Sequence, residues 1–286
     1  MPSMKALKRR IGSVNNTQKI MKAMKLVATS KVQKYKARME SVRPLFNESA
    51  DFLSQGINFD GANQSIYYAQ RPAKRIAYVV ICGERGLCGS YNANVLKEAY
   101  SYINERKDTK EQIVTVGAKC REYFIRRNKE VVANYTGILE SVPYSVAEDI
   151  AYSLMEMYTS NNPEQRVDEI HVVYTKFETL LSQSPQSTKL LPLEDKPQTT
   201  TQKEIIFEPD ADTYLRKAVP VYLANFIYGA MIEASVCEQA SRMTSMDAAS
   251  RNAGEIVEKL TLQYNRQRQS AITQEISEIV GGANAI

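Results

Sequence analysis

Histidine is nearly absent from this chain of 286 residues: His171 is the only one. It stands inside the apolar, strand-like run VDEIHVVYTKF and is expected to be a satisfied core residue. That leaves no basis for a metal centre or a general base built on histidine. Cysteine is sparse. Cys82, Cys88, Cys120 and Cys237 form no C-x-x-C pair, so neither a zinc site nor a disulfide framework is expected, and the usage suits a reducing compartment. No apolar run of membrane-spanning length is present. The opening MPSMKALKRRIG has no apolar signal core, so neither a leader nor an anchor is expected there. Acid is missing from one region altogether: residues 1–39 carry eleven Lys or Arg and no Asp or Glu. The remainder then has 37 − 11 = 26 basic and 32 acidic residues, a net of −6. The chain is a concentrated cationic arm on a mildly acidic body.

That arm has the periodicity of one long helix. Met4, Leu7, Ile11, Val14, Met21, Ala28, Val32, Tyr35, Met39, Val42 and Phe46 recur in a 3-4 pattern, with Gln18 and Lys25 as polar interruptions. A heptad seam sustained for about six repeats predicts a coiled coil. Gly12 weakens the helix locally, and Pro44 is expected to kink it near its end. The stretch SQGINFDGANQS (54–65) is expected to be a loop.

From residue 74 the pattern changes. Strands are expected at 75–82, 112–117, 131–136 and 167–177, with helices at 92–106, 118–128 and 145–160. Strands alternating with helices over short links predict a parallel sheet covered by helices. The Pro-, Ser- and Thr-rich LLSQSPQSTKLLPLEDKPQTTTQK is expected to form extended edge structure and then a loop. From about residue 210 to 281 the helical period returns without a loop signal, with Pro220, Gly229 and Gly254 as weak points. The predicted fold is thus α/β. An N-terminal coiled-coil helix (1–55) and a C-terminal helix with its tip (210–286) flank a small Rossmann-like domain (74–205).

Some seventy helical residues span about 105 Å, while a globule of this whole mass measures only about 40–50 Å across. The last helix is therefore expected to project and to need a partner along its length. The N-terminal helix, about 75 Å long, supplies one. Because one helix enters the α/β domain and the other leaves it, the two are expected to run antiparallel. The stretch ASVCEQASRMTSMDAASRNAG (234–254) is about half small residues, which lets backbones approach closely. The length mismatch leaves about twenty residues, roughly 30 Å, without an internal partner. They include Leu260, Leu262, Tyr264, Ile272, Ile276, Ile279 and Val280. Either this end folds back as a short docking helix, or another protein covers it. Arg266, Gln267, Arg268, Gln269, Thr273, Gln274 and Glu275 place donors and acceptors beside it, either as a contact set or as a solvated face.

Two rival chemistries present themselves. ICGERGLCGSYN (81–92) places glycines between a strand and a helix, as a phosphate cradle does, but its G-x-x-G-x-x-G spacing and the Ser90-Tyr91 that follow match neither Walker A nor the dinucleotide fingerprint. The expectation is a turn at the sheet edge, with Asn92 or Ser90 capping the next helix, and Cys82 and Cys88 as small buried side chains. The basic arm suits nucleic acid, but its cations interleave with the seam and no aromatic stacking platform accompanies them. Acidic protein partners suit it equally.

Five segments together carry a resemblance: KRRIGSVNNTQKIMKAMKLVATSKV (8–32), RGLCGSYN (85–92), FEPD (207–210), EQASRMTSMDAASRNA (238–253) and SAITQEISEIVGGA (270–283). In this order and spacing the chain resembles, over essentially its full length, the gamma subunit of bacterial rotary ATP synthase. The resemblance implies a non-catalytic rotor shaft in a proton-driven complex, with no catalytic, cofactor-binding or metal-binding residues of its own. It implies that the two terminal helices stand inside a ring of alpha and beta subunits. It implies that the α/β domain meets the epsilon subunit and the membrane c-ring, peripheral to the cytoplasmic face of the bacterial cell membrane. It also decides for protein rather than nucleic acid as the partner. Arg268, Gln269 and Thr273 match the family's polar catch near the tip, and Ile276 and Ile279 its apolar bearing. Lys22, Lys25, Lys31 and Lys34 match the basic face met by levers of the catalytic subunits. Lys25 stands where many members carry an acidic residue. The plant-type regulatory insert with its cysteine pair is absent.

Overall fold

The run Arg75–Ile81 is the middle of a five-stranded sheet, and its composition explains why. In the computed structural model, which describes residues 3–55, 65–106, 108–193 and 210–283, it forms β1 and has a strand on either side. The elements in chain order are α1 (Met4–Gln55), β1, α2 (Tyr91–Glu105), β2 (Lys110–Val116), α3 (Ala118–Ile125), β3 (Val131–Tyr135), α4 (Tyr144–Thr159), β4 (Glu169–Phe177), β5 (Gln183–Leu191) and α5 (Ala211–Ala283). They divide into two compact units, Ser30–Ser241 and the pair Met1–Thr29 with Arg242–Ile286.

In the Ser30–Ser241 unit the strand order is β3-β2-β1-β4-β5. The first four strands are parallel, with Val79 opposite Val114 of β2 and Val172 of β4, and β5 joins β4 antiparallel. Side chains alternate across a strand, so β1 serves two cores at once. Ala77, Val79 and Ile81 pack with Ile150, Leu154, Leu223, Ile227 and Met231, from α4 and α5, and with Tyr35 and Met39 of α1. Ile76, Tyr78 and Val80 pack with Val95, Leu96, Ala99, Cys120 and Phe124, from α2 and α3. Burial on both faces requires an unbroken apolar strand, and every residue from Ile76 to Ile81 is fully buried. The Rossmann-like expectation stands, with β5 as the extended edge.

Gly117 marks where two strand ends converge. Its φ is +104°, its N–H donates to the Tyr135 carbonyl at 2.8 Å, and a Cβ there would stand 2.3 Å from the Cys82 carbonyl oxygen. Only glycine fits such an approach. Helix α3 stops at Ile125, short of the expected 128, because Asn128 turns left-handed (φ 55°) and the Lys129 N–H closes back on the Phe124 carbonyl. Helix α1 continues through Gly12 and Pro44, and α5 through Pro220, Gly229 and Gly254. One stretch of α5 has mean hydropathy 1.3 over eighteen residues, enough by length and composition to cross a membrane, yet 72% of it is buried inside the protein. The expected loop at 54–65, the segment after Leu193 and most of FEPD fall largely outside the described residues.

In the other unit α1 and α5 pair antiparallel. Gln18 reaches Ser250 while Lys25 reaches Asp247, so α5 numbers fall as α1 numbers rise. On α5, Met246, Ser250, Ala253, Val257, Leu260, Tyr264 and Gln267 are buried or half-buried at 4-3 spacing. On α1, Leu7 and Ala28 are buried, Ile11, Val14 and Met21 are half-buried, and Met4 is exposed. Leu260, expected to lack cover within its own chain, is only 7% exposed, and Tyr264 is half-buried, because the α5 seam continues past residue 262. The uncovered end is correspondingly shorter than expected.

Candidate functional site

Every residue of α5 from 268 to 280 is exposed. Ile272, Ile276, Ile279 and Val280 keep 47–67% of their surface in water. Covering such a side chain is worth about 1.5–3 kcal/mol, so this end of the helix carries a driving force for association that its own unit leaves unused. Residues 272, 276 and 279 form one i, i+4, i+7 line, and 269, 273 and 276 the next, so the two lines meet at Ile276. Gln269 and Thr273 thus stand one turn apart beside the isoleucine stripe, with Arg268 at its start. The Thr273 hydroxyl donates to the Gln269 carbonyl at 2.9 Å and keeps its lone pairs for an outside donor. Gln274 is held by Glu278 at 3.1 Å. The five predicted tip residues therefore share one exposed helical segment.

The four predicted lysines do not stay together. Lys22 and Lys34 are exposed. Lys25 turns inward and bonds Asp247 at 2.6 Å; Arg251 holds the other oxygen of that carboxylate at 2.8 Å. The Lys25 hydrogen bond keeps the Asp247 carboxyl below the usual carboxylate range. Lys31 lies 3.6 Å from the Glu140 carboxylate. Two of the four cations thus have internal acidic partners. Beside Lys22 stand Ile20, Leu26 and Val27, 60%, 71% and 58% exposed. The charge count passed over them, yet their position off the seam is the signal that reveals them.

The glycine loop between β1 and α2 turns the chain at the end of the central strand of the sheet. Side-chain oxygens already hold two of its backbone donors. Asn92 Oδ1 accepts from the Gly83 N–H at 2.8 Å, and Glu238 accepts from the Arg85 N–H at 3.4 Å. Glu84 accepts from the N–H groups of Ala118 and Ile138 at 3.0 and 3.2 Å. A phosphate would have to displace the Asn92 amide oxygen and the Glu238 carboxylate and then sit beside Glu84 and Glu238, the reverse of a phosphate cradle. Ser90 stands at the N-cap of α2 but makes no side-chain cap bond; Asn92 instead ties the loop together, donating to the Arg85 carbonyl and to Cys88 Sγ.

His171 is fully buried between Tyr102, 3.0 Å from Nδ1, and Glu169, 2.7 Å from Nε2. Both ring nitrogens are satisfied with the ring neutral, Nε2–H donating to the carboxylate and Nδ1 accepting from the phenol. Burial lowers the imidazole pKa despite the Glu169 hydrogen bond. The four cysteines form no disulfide and are buried, and burial pushes the thiols of Cys82 and Cys237 up, away from reactive thiolates. Among the described residues no three His, Cys, Asp or Glu side chains gather where they could hold a metal ion.

A helix pair with an uncovered apolar end, a sheet packed on both faces and a glycine loop tied by Asn92 and Glu238 define a stalk protein that works through other chains. The comparisons agree. A family model described as ATP synthase matches residues 3–286. The ATP synthase gamma chain of Desulforamulus reducens is 42% identical, with 100% of both chains covered. A chain of the central stalk and c-ring of Tetrahymena thermophila mitochondrial ATP synthase is 26% identical, with a TM-score of 0.58 over 81% of this chain and 99% of that one. A chain of the Euglena gracilis mitochondrial ATP synthase shares the fold at 18% identity, with a TM-score of 0.68 over 99% of this chain and 94% of that one. The chain belongs to the ATP synthase gamma chain family. It is a non-catalytic central-stalk subunit, and the catalytic sites of the complex lie on other subunits.

Proposed function

We propose that this chain turns inside a ring of alpha and beta subunits and carries proton-driven rotation to their catalytic sites. One asymmetric shaft cannot touch three equivalent catalytic subunits alike, so it biases each toward a different conformation. Turning the shaft passes those conformations around the ring, from nucleotide binding to ATP release. The observation that carries this reading is the exposed segment 268–280, where isoleucines at helical spacing stand beside Arg268, Gln269 and Thr273. Apolar contact is non-directional and resists turning weakly, as a bearing requires. The polar trio is directional and suits a transient catch. Exposed Lys22 and Lys34, with the apolar Ile20, Leu26 and Val27, suit levers of the catalytic subunits; Lys25 and Lys31 act there from within their ion pairs. The α/β domain is assigned to the epsilon subunit and the c-ring, at the cytoplasmic face of the bacterial cell membrane.

Co-purification on a tagged chain tests this. Two larger subunits in threefold excess over the tagged chain are expected, and the purified chain alone is expected to hydrolyse no ATP. Recovery of nucleic acid in place of those subunits would replace the reading with the basic-arm alternative.

A further inference from the structure

The connection between β3 and α4 is bolted to three neighbouring elements of the Ser30–Ser241 unit. Lys31, Tyr35 and Arg38 occupy successive turns of α1 and all reach it. The Tyr35 hydroxyl donates to the Glu140 carbonyl at 2.8 Å. Arg38 spreads its fork over the next two carbonyls, with Nη1 donating to Ser141 at 2.5 Å and Nη2 to Val142 at 2.8 Å. Its remaining Nε–H donates to the Tyr228 hydroxyl on α5 at 2.9 Å, and the guanidinium lies 5.3 Å from the centre of that ring. From the other side, the Ser235 hydroxyl of α5, shared with the Met231 carbonyl at 2.8 Å, reaches the Leu139 carbonyl at 3.1 Å, and Arg85 of the glycine loop pairs with the Glu140 carboxylate at 2.9 Å. The loop is wound tightly to meet these donors. Val142 is fully buried with φ +46°, a conformation that a β-branched residue adopts only when its surroundings impose it.

Satisfying buried carbonyls explains the need for donors here, but not for a planar fork that also grips α5. Burial of Tyr35 and Met39 already resists turning of α1, but apolar packing is non-directional. A fork that spans two fixed carbonyls and a phenol adds directional bonds that fix one orientation. We propose that Arg38, supported by Tyr35, is the rotational key that locks α1 to α5 and to the α/β domain, so that torque entering the domain reaches the coiled coil without slip. This rests on the rotary reading above. Arg38 is a positioning residue that acts through Tyr228 and the carbonyls of Ser141 and Val142.

The test uses the complete complex in sealed vesicles and measures ATP hydrolysis and ATP-driven proton uptake side by side. Arg38→Ala is expected to keep hydrolysis within about twofold of the parent while proton uptake per ATP falls about tenfold. Arg38→Lys, a single point charge, is expected to fall between the two. Uptake per ATP that stays at the parent value in Arg38→Ala overturns the proposal, as does loss of both activities in proportion. If Arg38→Ala fails to assemble, the double variant Tyr35→Phe with Tyr228→Phe decides. It removes only hydroxyls and is expected to lower uptake per ATP about threefold; no change overturns the proposal. A parent complex that hydrolyses ATP yet takes up no protons faults the rotary reading instead of the key.

Discussion

Gln18 Nε2 donates to the Ser250 carbonyl oxygen at 3.1 Å and stands 3.1 Å from where a Cβ on Gly254 would be. One amide thus measures the clearance between the two helices. Gly254→Ala gains about 1 kcal/mol of helix propensity and puts at risk a hydrogen bond worth about as much, so its unfolding free energy is expected to stay within about 1 kcal/mol of the parent. Gly254→Leu has no such room and is expected to lower the midpoint of thermal unfolding followed by circular dichroism. A leucine variant as stable as the parent would show that the helices do not close on this residue.

Arg268 and Gln269 are exposed, with nothing of their own unit to lose. Arg268→Ala and Gln269→Leu are expected to change the stability of the isolated chain by less than about 0.5 kcal/mol. They are expected to weaken assembly or coupled turnover of the reconstituted complex. Synthesis and hydrolysis rates equal to the parent's would remove both residues from the catch.

Two glycines with positive φ separate strain from collision. At Gly137 (φ +77°) nothing lies within 4 Å of an added Cβ, whereas at Gly117 (φ +104°) a backbone oxygen stands 2.3 Å away. Gly137→Ala is expected to cost about 1–2 kcal/mol, and Gly117→Ala more than about 3 kcal/mol. Urea midpoints of the two variants check the order; equal midpoints would mean that β2 can shift away from Cys82 freely.

His171 supplies a pH signature. Burial places its pKa below the ordinary 6.5, so the folded chain holds fewer protons there than the unfolded chain. Stability from the neutral ring is complete above pH 6.5, declines as pH falls below it, and is gone once pH has passed the lowered folded value. Arg106 and Glu169, ion-paired beside the ring, and Tyr78 against it keep their charge states over that window. Glu169 itself is held low by hydrogen bonds from His171 and Arg106, which outweigh its burial, and titrates at more acid pH. In His171→Gln the decline just below pH 6.5 is expected to flatten by up to about 1.4 kcal/mol per pH unit. Parallel stability curves for parent and variant would assign the slope to another group.

Much of this was legible because burial leaves a period in the sequence. An apolar run such as Ile76–Ile81 marks a strand covered on both faces, and the helices of the middle domain announce themselves by spacing. The polar Gln183–Leu191 is legible only as extended chain; its antiparallel pairing depends on the turn at Thr179–Ser182, which no apolar period encodes. The far end of α5 misled for a different reason. Its seam runs through Ser250 and Ala253, so counting large apolar residues hides the heptad that carries Leu260 inward. The fate of Lys25 depended on the register between segments 222 residues apart, which fixes Asp247 opposite it. Arg38 gave no signal, because its partners are backbone carbonyls whose positions exist only once the loop has folded.

The bare stripe of Ile272, Ile276 and Ile279 also constrains supply. Copies made ahead of their cover present an adhesive strip to one another and to quality-control proteases, so surplus is hazardous where shortage is merely wasteful. Expression of this chain is best held at or below that of whatever sheathes the stripe, a stoichiometric discipline written into three side chains.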